Sequence, residues 1–449
     1  VKRILILTGK IIAGLLVGIL VFLVFAIGPV NRTPVQATDA YQQTLQTLER
    51  MAISTDSFGD SIRVGFAKQN ITPPFPVTTA GYVKRKGALR TSVHDSLFVR
   101  TLVVQAGRTR AAIVSLDMLL VPPAVYERLT QQLPGIGFSI EQVFLGATHT
   151  HNSLGQWDDH LVGEVYAGDF NPAVVDLVTD AIVQSIQRAA AQPMEAAVRY
   201  QAIPFREGVS NRLLSQGPVD SLIHAVEFVW ANHQKAILTS YTAHATCLSA
   251  RELALSRDYP GVLVDALEAN GYAFASFLAG AVGSHAPPSG PDGWERATDL
   301  GTALADTVLA SPAFTAIKGE DMAVGRFALA LGEQQIKITP TWRVRSWLSK
   351  PLLGESQPAI SYVKIGNLVM LNMPCDFSGM LTAPLYARAR SRSSYVFVTS
   401  FNGAYIGYVT PDGLYDYQTY ETQVMNWYGR GNGAYLQTCA TQLIEKLSD

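Results

Sequence analysis

Cysteine is scarce: Cys247, Cys375 and Cys439 are the only three in 449 residues, and none lies near another. That spacing excludes a C-x-x-C metal knuckle and a dense disulfide framework. One disulfide at most is possible, and each thiol reads as a small buried apolar residue. An excess of one charge is also missing, with 35 Lys plus Arg against 36 Asp plus Glu and no basic run in the body. This excludes the electrostatic footprint of a nucleic-acid-binding protein, so no nucleic acid is expected as a partner. There is no repeat of fixed period and no low-complexity segment. The only Pro/Gly-rich stretch inside the body is 287–293, and no internal domain boundary stands out.

One charge-free run is present near the start. From Ile11 to Val30 twenty residues carry no charge, and Lys2, Arg3 and Lys10 precede them. Such a run spans the hydrocarbon core of a bilayer as a helix. The expectation is a cytoplasmic 1–10, a transmembrane signal anchor over 11–30, a tether over 31–60 with a short helix near 41–51, and a catalytic body over 61–449. Positive residues before the span place that body outside the cytoplasm, periplasmic or at the cell surface. Ala26-Ile27-Gly28 matches a cleavage site only loosely, and cleavage is the alternative reading.

The body alternates strand and helix signals. Segments 96–105 and 111–118 read as a hairpin turning at Gly107, and Asn171-Pro172 opens a helix running to about 191. Further strands fit 196–202, 225–230, 236–244, 273–278 and 368–373, with helices near 260–270, 296–310, 378–392 and 433–446. The fold class is therefore α/β, with mixed central sheets flanked by helices in a single large catalytic domain after the N-terminal transmembrane segment.

Chemistry concentrates at Val143-Phe144-Leu145-Gly146-Ala147-Thr148-His149-Thr150-His151, an apolar β-like run ending in two histidines. In a strand, residues i and i+2 share a face, so His149 and His151 would project together and could bind a metal or move protons. The plain alternative is two histidines at a sheet rim, bonded to backbone or solvent. His244 closes the strand expected over 236–244, and Asp376 follows Leu368-Val369-Met370-Leu371-Asn372-Met373-Pro374-Cys375 at a strand-to-helix junction. There a carboxylate serves as a metal ligand or, equally well, as a helix N-cap.

Several ordered segments resemble the neutral/alkaline non-lysosomal ceramidase family over roughly Arg63 to Tyr428. Val64-Gly65-Phe66-Ala67 with Asn70-Ile71-Thr72-Pro73-Pro74 is similar to V-G-x-A-x-x-D-I-T-P, and Gly81-Tyr82 and Val93-His94-Asp95 follow. Ala147-Thr148-His149-Thr150-His151 matches A-T-H-T-H, Asn211-Arg212 matches N-R, and Ala243-His244 with Asp258-Tyr259-Pro260-Gly261 resembles A-x-H-P plus A-D-Y-P-G. Pro374-Cys375-Asp376-Phe377 resembles P-G-E-F. Gly407-Tyr408-Val409-Thr410 and Tyr420-Glu421 resemble G-Y-V-T and Y-E-G.

The resemblance implies zinc as cofactor, with His149, His244, Asp376 and Tyr420 as ligands. It implies that a metal-activated water cleaves an amide, with His151 as hydrogen-bond donor or proton shuttle and Arg212 anchoring a polar substrate group. Arg212 paired structurally with an acidic neighbour is the alternative. The chain departs from the family at Asn70, at Asn152-Ser153-Leu154-Gly155, and at Asp376, which is one methylene shorter than Glu. In Gly283-Ser284-His285-Ala286-Pro287, Ala286 stands where ceramidases have a serine important for activity. Ser284 and His285, on a loop expected to be exposed, are candidate replacements at the substrate, the plain alternative being a surface pair with no role there. The resemblance covers the catalytic part alone, without the family's β-rich C-terminal domain. The reading is a zinc-dependent hydrolase of a small-molecule or lipid-like amide, ceramide-like or diverged. The alternatives are an ester or other acyl-conjugate hydrolase, or a non-catalytic module with a degraded metal site.

Overall fold

A computed structural model describes residues 2–59, 61–311, 314–355 and 357–448. Val1, Asp60 and Asp449, which fall at expected boundaries, lie outside the described residues. The body is mixed α/β, as expected, and is built on two large sheets. In spatial order the larger runs Phe274–Ala279, Lys235–Tyr241, Leu222–Trp230, Met194–Pro204, Ile62–Asn70, Phe98–Ala106, Thr109–Leu116 and Val143–Ala147, and Thr315–Ala316 pairs beside Met194–Pro204. Its two outer pairs are parallel and its interior is antiparallel.

Eight twisted strands do not stay flat. At about 20–25° per neighbour the twist accumulates across the sheet, and here the two edges curl towards each other. The Ser115 hydroxyl donates to the Phe277 carbonyl at 2.5 Å, and Arg100 donates to the Ala275 carbonyl at 3.1 Å, both across the gap between edges. Gly146 makes the approach possible, because a Cβ there would lie 2.5 Å from the Leu278 side chain. The ends of Val143–Ala147 and Lys235–Tyr241, distant along the sheet, therefore come close in space.

The second sheet, ordered Asp56–Ser57, Asp321–Ala328, Ala359–Ile365, Leu368–Met373 and Tyr395–Ser400, stacks on the first. The two share a core in which Phe144, Phe228 and Leu278 meet Val363, Met370 and Phe397. Polar groups cross the same interface: Asn372 donates to the Leu145 carbonyl, and His224 lies between the Tyr200 and Tyr386 hydroxyls at 2.7 and 3.1 Å.

Helix Pro172–Ala191 covers the larger sheet with the apolar stripe Val175, Val178, Ile182 and Ile186, spaced three and four apart. Its start matches the expectation: the Asn171 side chain accepts from the Ala173 amide, and Pro172 needs no partner for a missing N–H. Asp258–Ala269 and Trp294–Leu309 pack together and against the same core. Thr382–Ser391 and Asn432–Ser448 back the second sheet.

The N-terminal helix spans Lys2–Ala26, and its length and composition suit a membrane span or equally a signal sequence. It stops before Val30 because Ile27–Pro29 turns extended and pairs with Trp342–Val344. Pro29 could not have donated within a helix. Residues 31–59, expected as a tether, are docked on the body. Arg32 pairs with Asp416 at 2.7 Å, and the helix Asp39–Arg50 buries Thr44 and Leu48, with Tyr435 donating to Thr44 at 2.7 Å. Its apolar stripe is short and its long-range partners are invisible to local periodicity.

If edge closure depends on Gly146, Gly146→Ala should cost about 1–3 kcal/mol through overpacking. Adding Leu278→Ala should recover part of that loss, so the two effects do not add. Urea unfolding of the two single variants and the double variant checks this, and strict additivity would refute the contact. A second expectation concerns acid. Burial pushes the His224 imidazole down to about 3. Its folded value lies below the unfolded one of about 6.5, so its contribution to stability is present above that pH and lost as pH falls towards 3. His224→Gln should flatten the acid limb of a stability–pH profile relative to the parent, and an unchanged slope would contradict this.

Candidate active site

His149 and His151 do not sit on a strand face. Their strand ends at Ala147, and His149 adopts a left-handed φ of 62° in the following turn. The turn is held by the Thr148 amide on the Leu116 carbonyl and by the His151 amide on the Ala245 carbonyl. His244 likewise lies past its strand, which ends at Tyr241, and Tyr259 fastens that segment by donating to the Ala243 carbonyl at 2.5 Å. Asp376 belongs to a short strand, Asp376–Phe377, paired in parallel with Tyr408–Val409. It caps no helix: the next cap is Ser378, and the helix itself begins at Thr382.

The three imidazoles are fixed in one tautomer. Each Nδ1 meets a backbone carbonyl, which can only accept: Leu119 for His149 at 2.5 Å, Gly81 for His151 at 2.9 Å, and His285 for His244 at 2.9 Å. Each Nδ1 therefore carries the proton, and each Nε2 offers a lone pair. Those lone pairs converge. His149 and His151 Nε2 are 3.3 Å apart, and Asp376 Oδ1 stands 3.5 Å from His149 Nε2 and 3.2 Å from His244 Nε2. Asp376 Oδ1 is fully buried with no hydrogen-bond donor.

Burial is the largest influence on each of these groups. It pushes His149 down to about 3 and His151 and His244 well below the usual imidazole range, while Asp376 is pushed up despite His149 and the Tyr405 hydroxyl, which donates at 2.6 Å. Converging acceptors around an orphaned carboxylate oxygen suit a cation, whose charge would reverse the upward shift of Asp376 and keep the imidazoles neutral. His149, His151 and His244 form a cluster able to bind a metal, with ligand atoms within 4.8 Å of one another.

The remaining expected residues fall in two groups. Arg212 reaches the cluster: it pairs with Glu421 at 2.8 Å, donates to the Tyr408 hydroxyl at 3.0 Å and stands 3.3 Å from His244 Nε2. The ion pair with Glu421 is the structural role expected as the alternative, made beside the cluster. Tyr420 shares the pocket wall, but its hydroxyl bonds to Tyr166 at 3.0 Å. Ser284 and His285 are not exposed, contrary to expectation. The Ser284 hydroxyl bonds to His285 Nδ1 at 2.8 Å and to Ser378 at 2.6 Å, while His285 Nε2 accepts from the Asp220 amide at 2.9 Å. Their side chains serve each other, and their backbone serves the site: the Ser284 carbonyl accepts from the Arg212 amide and the His285 carbonyl from His244.

Tyr408 and Tyr405 escaped the sequence reading of the site. Tyr408 is 3.0 Å from His244 Nε2, and it stood within the Gly407-Tyr408-Val409-Thr410 motif that could have marked it. Tyr405, which bonds Asp376, had no comparable signal among its neighbouring tyrosines. Gly81, also in a quoted motif, has φ 118°, and a Cβ would come within 2.6 Å of the His151 carbonyl oxygen. His149, His151 and Asp376 line a pocket of about 90 Å³, with His244 buried behind them, and its wall includes Leu119, Leu120, Trp157, Val162, Leu353, Met425 and Trp427. An apolar slot thus ends in a polar, nitrogen-rich floor.

A mixed α/β body with this floor defines a ceramidase-like fold. The crystal structure of neutral ceramidase from Pseudomonas aeruginosa superposes with a TM-score of 0.71 at 20% identity over 86% of this chain and 75% of that one. A ceramidase complexed with C2 gives 0.73 at 19% identity over the same shares. In sequence, neutral ceramidase of Pseudomonas aeruginosa is 26% identical over 245 residues, 49% of this chain and 36% of the relative. That of Drosophila melanogaster is 22% identical over 225 residues, 46% and 32% respectively. The matches thus span about a third of the length of these relatives. Residues 62–280 match the family described as neutral/alkaline non-lysosomal ceramidase, N-terminal. The resemblance read from the ordered motifs is thereby shown over residues 62–280, just under half of this chain.

The orphaned oxygen makes an opposite-signed prediction. In metal-free protein, Asp376→Asn replaces an acceptor by a possible donor to His244 Nε2, which should raise stability by about 1–3 kcal/mol. The same change should weaken divalent-metal binding. Thermal unfolding and equilibrium dialysis read the two effects, and destabilisation of the metal-free variant would remove the argument for a cation.

Proposed function

We propose that this chain is a zinc-dependent hydrolase of N-acyl amides, with a ceramide-like linkage as the substrate class. The observation that carries the reading is the unpaired Asp376 Oδ1 facing the lone pairs of His149 and His244 at the floor of an apolar pocket. The likeness to neutral ceramidases supports the choice of an amide. His149, His244 and Asp376 would hold the metal, a nitrogen–oxygen donor set that suits zinc. When bound, zinc polarises an acyl carbonyl and lowers the pKa of a water.

The chain's own groups supply the rest. His151, neutral and with its Nε2 lone pair facing the cluster, is placed to take a proton from the attacking water and return it to the leaving amine. An amine leaves only when protonated, so this relay matters more for an amide than for an ester. Tyr408, held by Arg212, is a neutral donor beside the floor and can bond the acyl oxygen as charge develops. Tyr420, the fourth ligand implied by the resemblance, shares the pocket wall, and comparing Tyr420→Phe with Tyr408→Phe for zinc retention assigns the phenol. The leucines and tryptophans of the wall take the acyl chain and exclude water. The helix Lys2–Ala26 is proposed as an anchor that leaves the body extracytoplasmic, since Lys2, Arg3 and Lys10 flank its start.

Turnover of an N-acyl amide should vanish with chelator and return with zinc. His151→Ala should keep zinc yet lower turnover roughly a hundredfold. Zinc loss equal to that of His149→Ala would make His151 a ligand instead. A matched ester cleaved while the amide is untouched would favour the acyl-conjugate reading, and no turnover of either by zinc-loaded protein would favour a binding module.

A further inference from the structure

The N-terminal helix is built into the body close to the pocket. Ile27, Gly28 and Pro29 pair with Val344, Arg343 and Trp342, so the chain leaves the helix directly into a strand of the body. Trp347 clamps the junction: its indole N–H donates to the Phe25 carbonyl at 2.9 Å, and its ring meets Phe22 edge-on at 6.0 Å. From Trp347 the helix Ser346–Leu353 runs to Leu353, which lines the pocket. Six residues at 1.5 Å each put the pocket rim within about 10 Å of the helix exit along that helix, whatever its direction.

Exposed apolar side chains stand around this rim among charged ones such as Asp159 and the Lys350–Glu355 pair. Leu161 and Val165, four apart on Leu161–Ala167, are 57% and 44% exposed, and that helix packs on Ser346–Leu353. Trp342 and Trp347 are 51% and 52% exposed at the exit itself. Indole rings settle at the headgroup level of a membrane, a layer about 5–8 Å deep on each side of the hydrocarbon core. The exit of a spanning helix lies at that same level.

We propose that this face rests on the bilayer from which the helix emerges, with Trp342 and Trp347 in the headgroup layer and Leu161 and Val165 at its surface. The pocket then opens onto the lipid, and an acyl amide enters from the leaflet without crossing water. The proposal rests on reading Lys2–Ala26 as a membrane anchor, and it deepens the hydrolase reading by making the substrate a membrane-resident one. Continuity with the exposed apolar helix, rather than the patch alone, selects the bilayer as occupant.

The test uses the full chain in phosphatidylcholine vesicles, with an environment-sensitive fluorophore on Val165→Cys or on Arg108→Cys. The three native thiols are buried and should stay unlabelled. Arg108 is exposed in the turn before Thr109–Leu116, a strand of eight residues and so about 25 Å long. The Val165 probe should shift to the blue and be quenched by a lipid-borne nitroxide, while the Arg108 probe stays aqueous. An aqueous Val165 probe would overturn the proposal. So would concentration-dependent shielding in lipid-free detergent, which would mean a second copy covers the face. In a second arm, the double variant Leu161→Asp with Val165→Asp should hydrolyse a water-soluble short-chain amide like the parent but lose about tenfold or more on a long-chain amide embedded in vesicles. Equal loss on both would signal a damaged pocket and count against docking. If even the parent cleaves neither amide, the hydrolase reading fails while the probe depths still decide the docking.

Discussion

The meeting of the two edges of the larger sheet is the constraint on which the site depends. His149 and His244 follow strands separated by five others in the hydrogen-bonded order, and pairing alone would leave them far apart. Curling brings them together, and curling needs the small residue Gly146 against Leu278 and the bond from Ser115 to the Phe277 carbonyl. The stacked second sheet then delivers Asp376 from the end of Leu368–Met373. Three chain ends arriving at one point is a geometry that a large α/β body can hold rigidly, since every turn near it is tied to a neighbour's backbone.

How much of this was legible follows from what is local. The helix Pro172–Ala191, the hairpin around Gly107 and the core strands announce themselves through caps, turn residues and apolar periodicity. The pair His149 and His151 was legible as a motif, but the reason given for their shared direction was not the operating one. A strand's two-residue alternation does not align them; a left-handed turn and two carbonyl acceptors do. The docking of residues 31–59 and the burial of Ser284 and His285 were hidden because both depend on partners hundreds or tens of residues away. Tyr405 was illegible for the same reason: only the fold tells it apart from Tyr415 or Tyr417.

The site also stores a conflict. Imidazole lone pairs turned inward, beside a buried carboxylate whose Oδ1 has no donor, cost free energy in the metal-free body. What keeps them there is hydrogen bonding one step further out: Leu119, Gly81 and His285 carbonyls on the rings, Tyr405 on Asp376, and Arg212 with Glu421 on Tyr408. A cation would relieve the conflict without moving the scaffold, which is how a preformed site gains affinity.

The loop Gly283–Pro287 shows why a change at one family position need not disturb the rest. Its contribution to the floor is made by carbonyl oxygens of Ser284 and His285, which hold Arg212 and His244 whatever side chain follows. Its one strict requirement lies elsewhere: a Cβ at Gly283 would come within 2.3 Å of the Asp376 carbonyl oxygen. Ala286 pairs with Ser210 in a two-residue ladder, so its small side chain is compatible with the same backbone course. The architecture of the floor is therefore independent of a hydroxyl at residue 286.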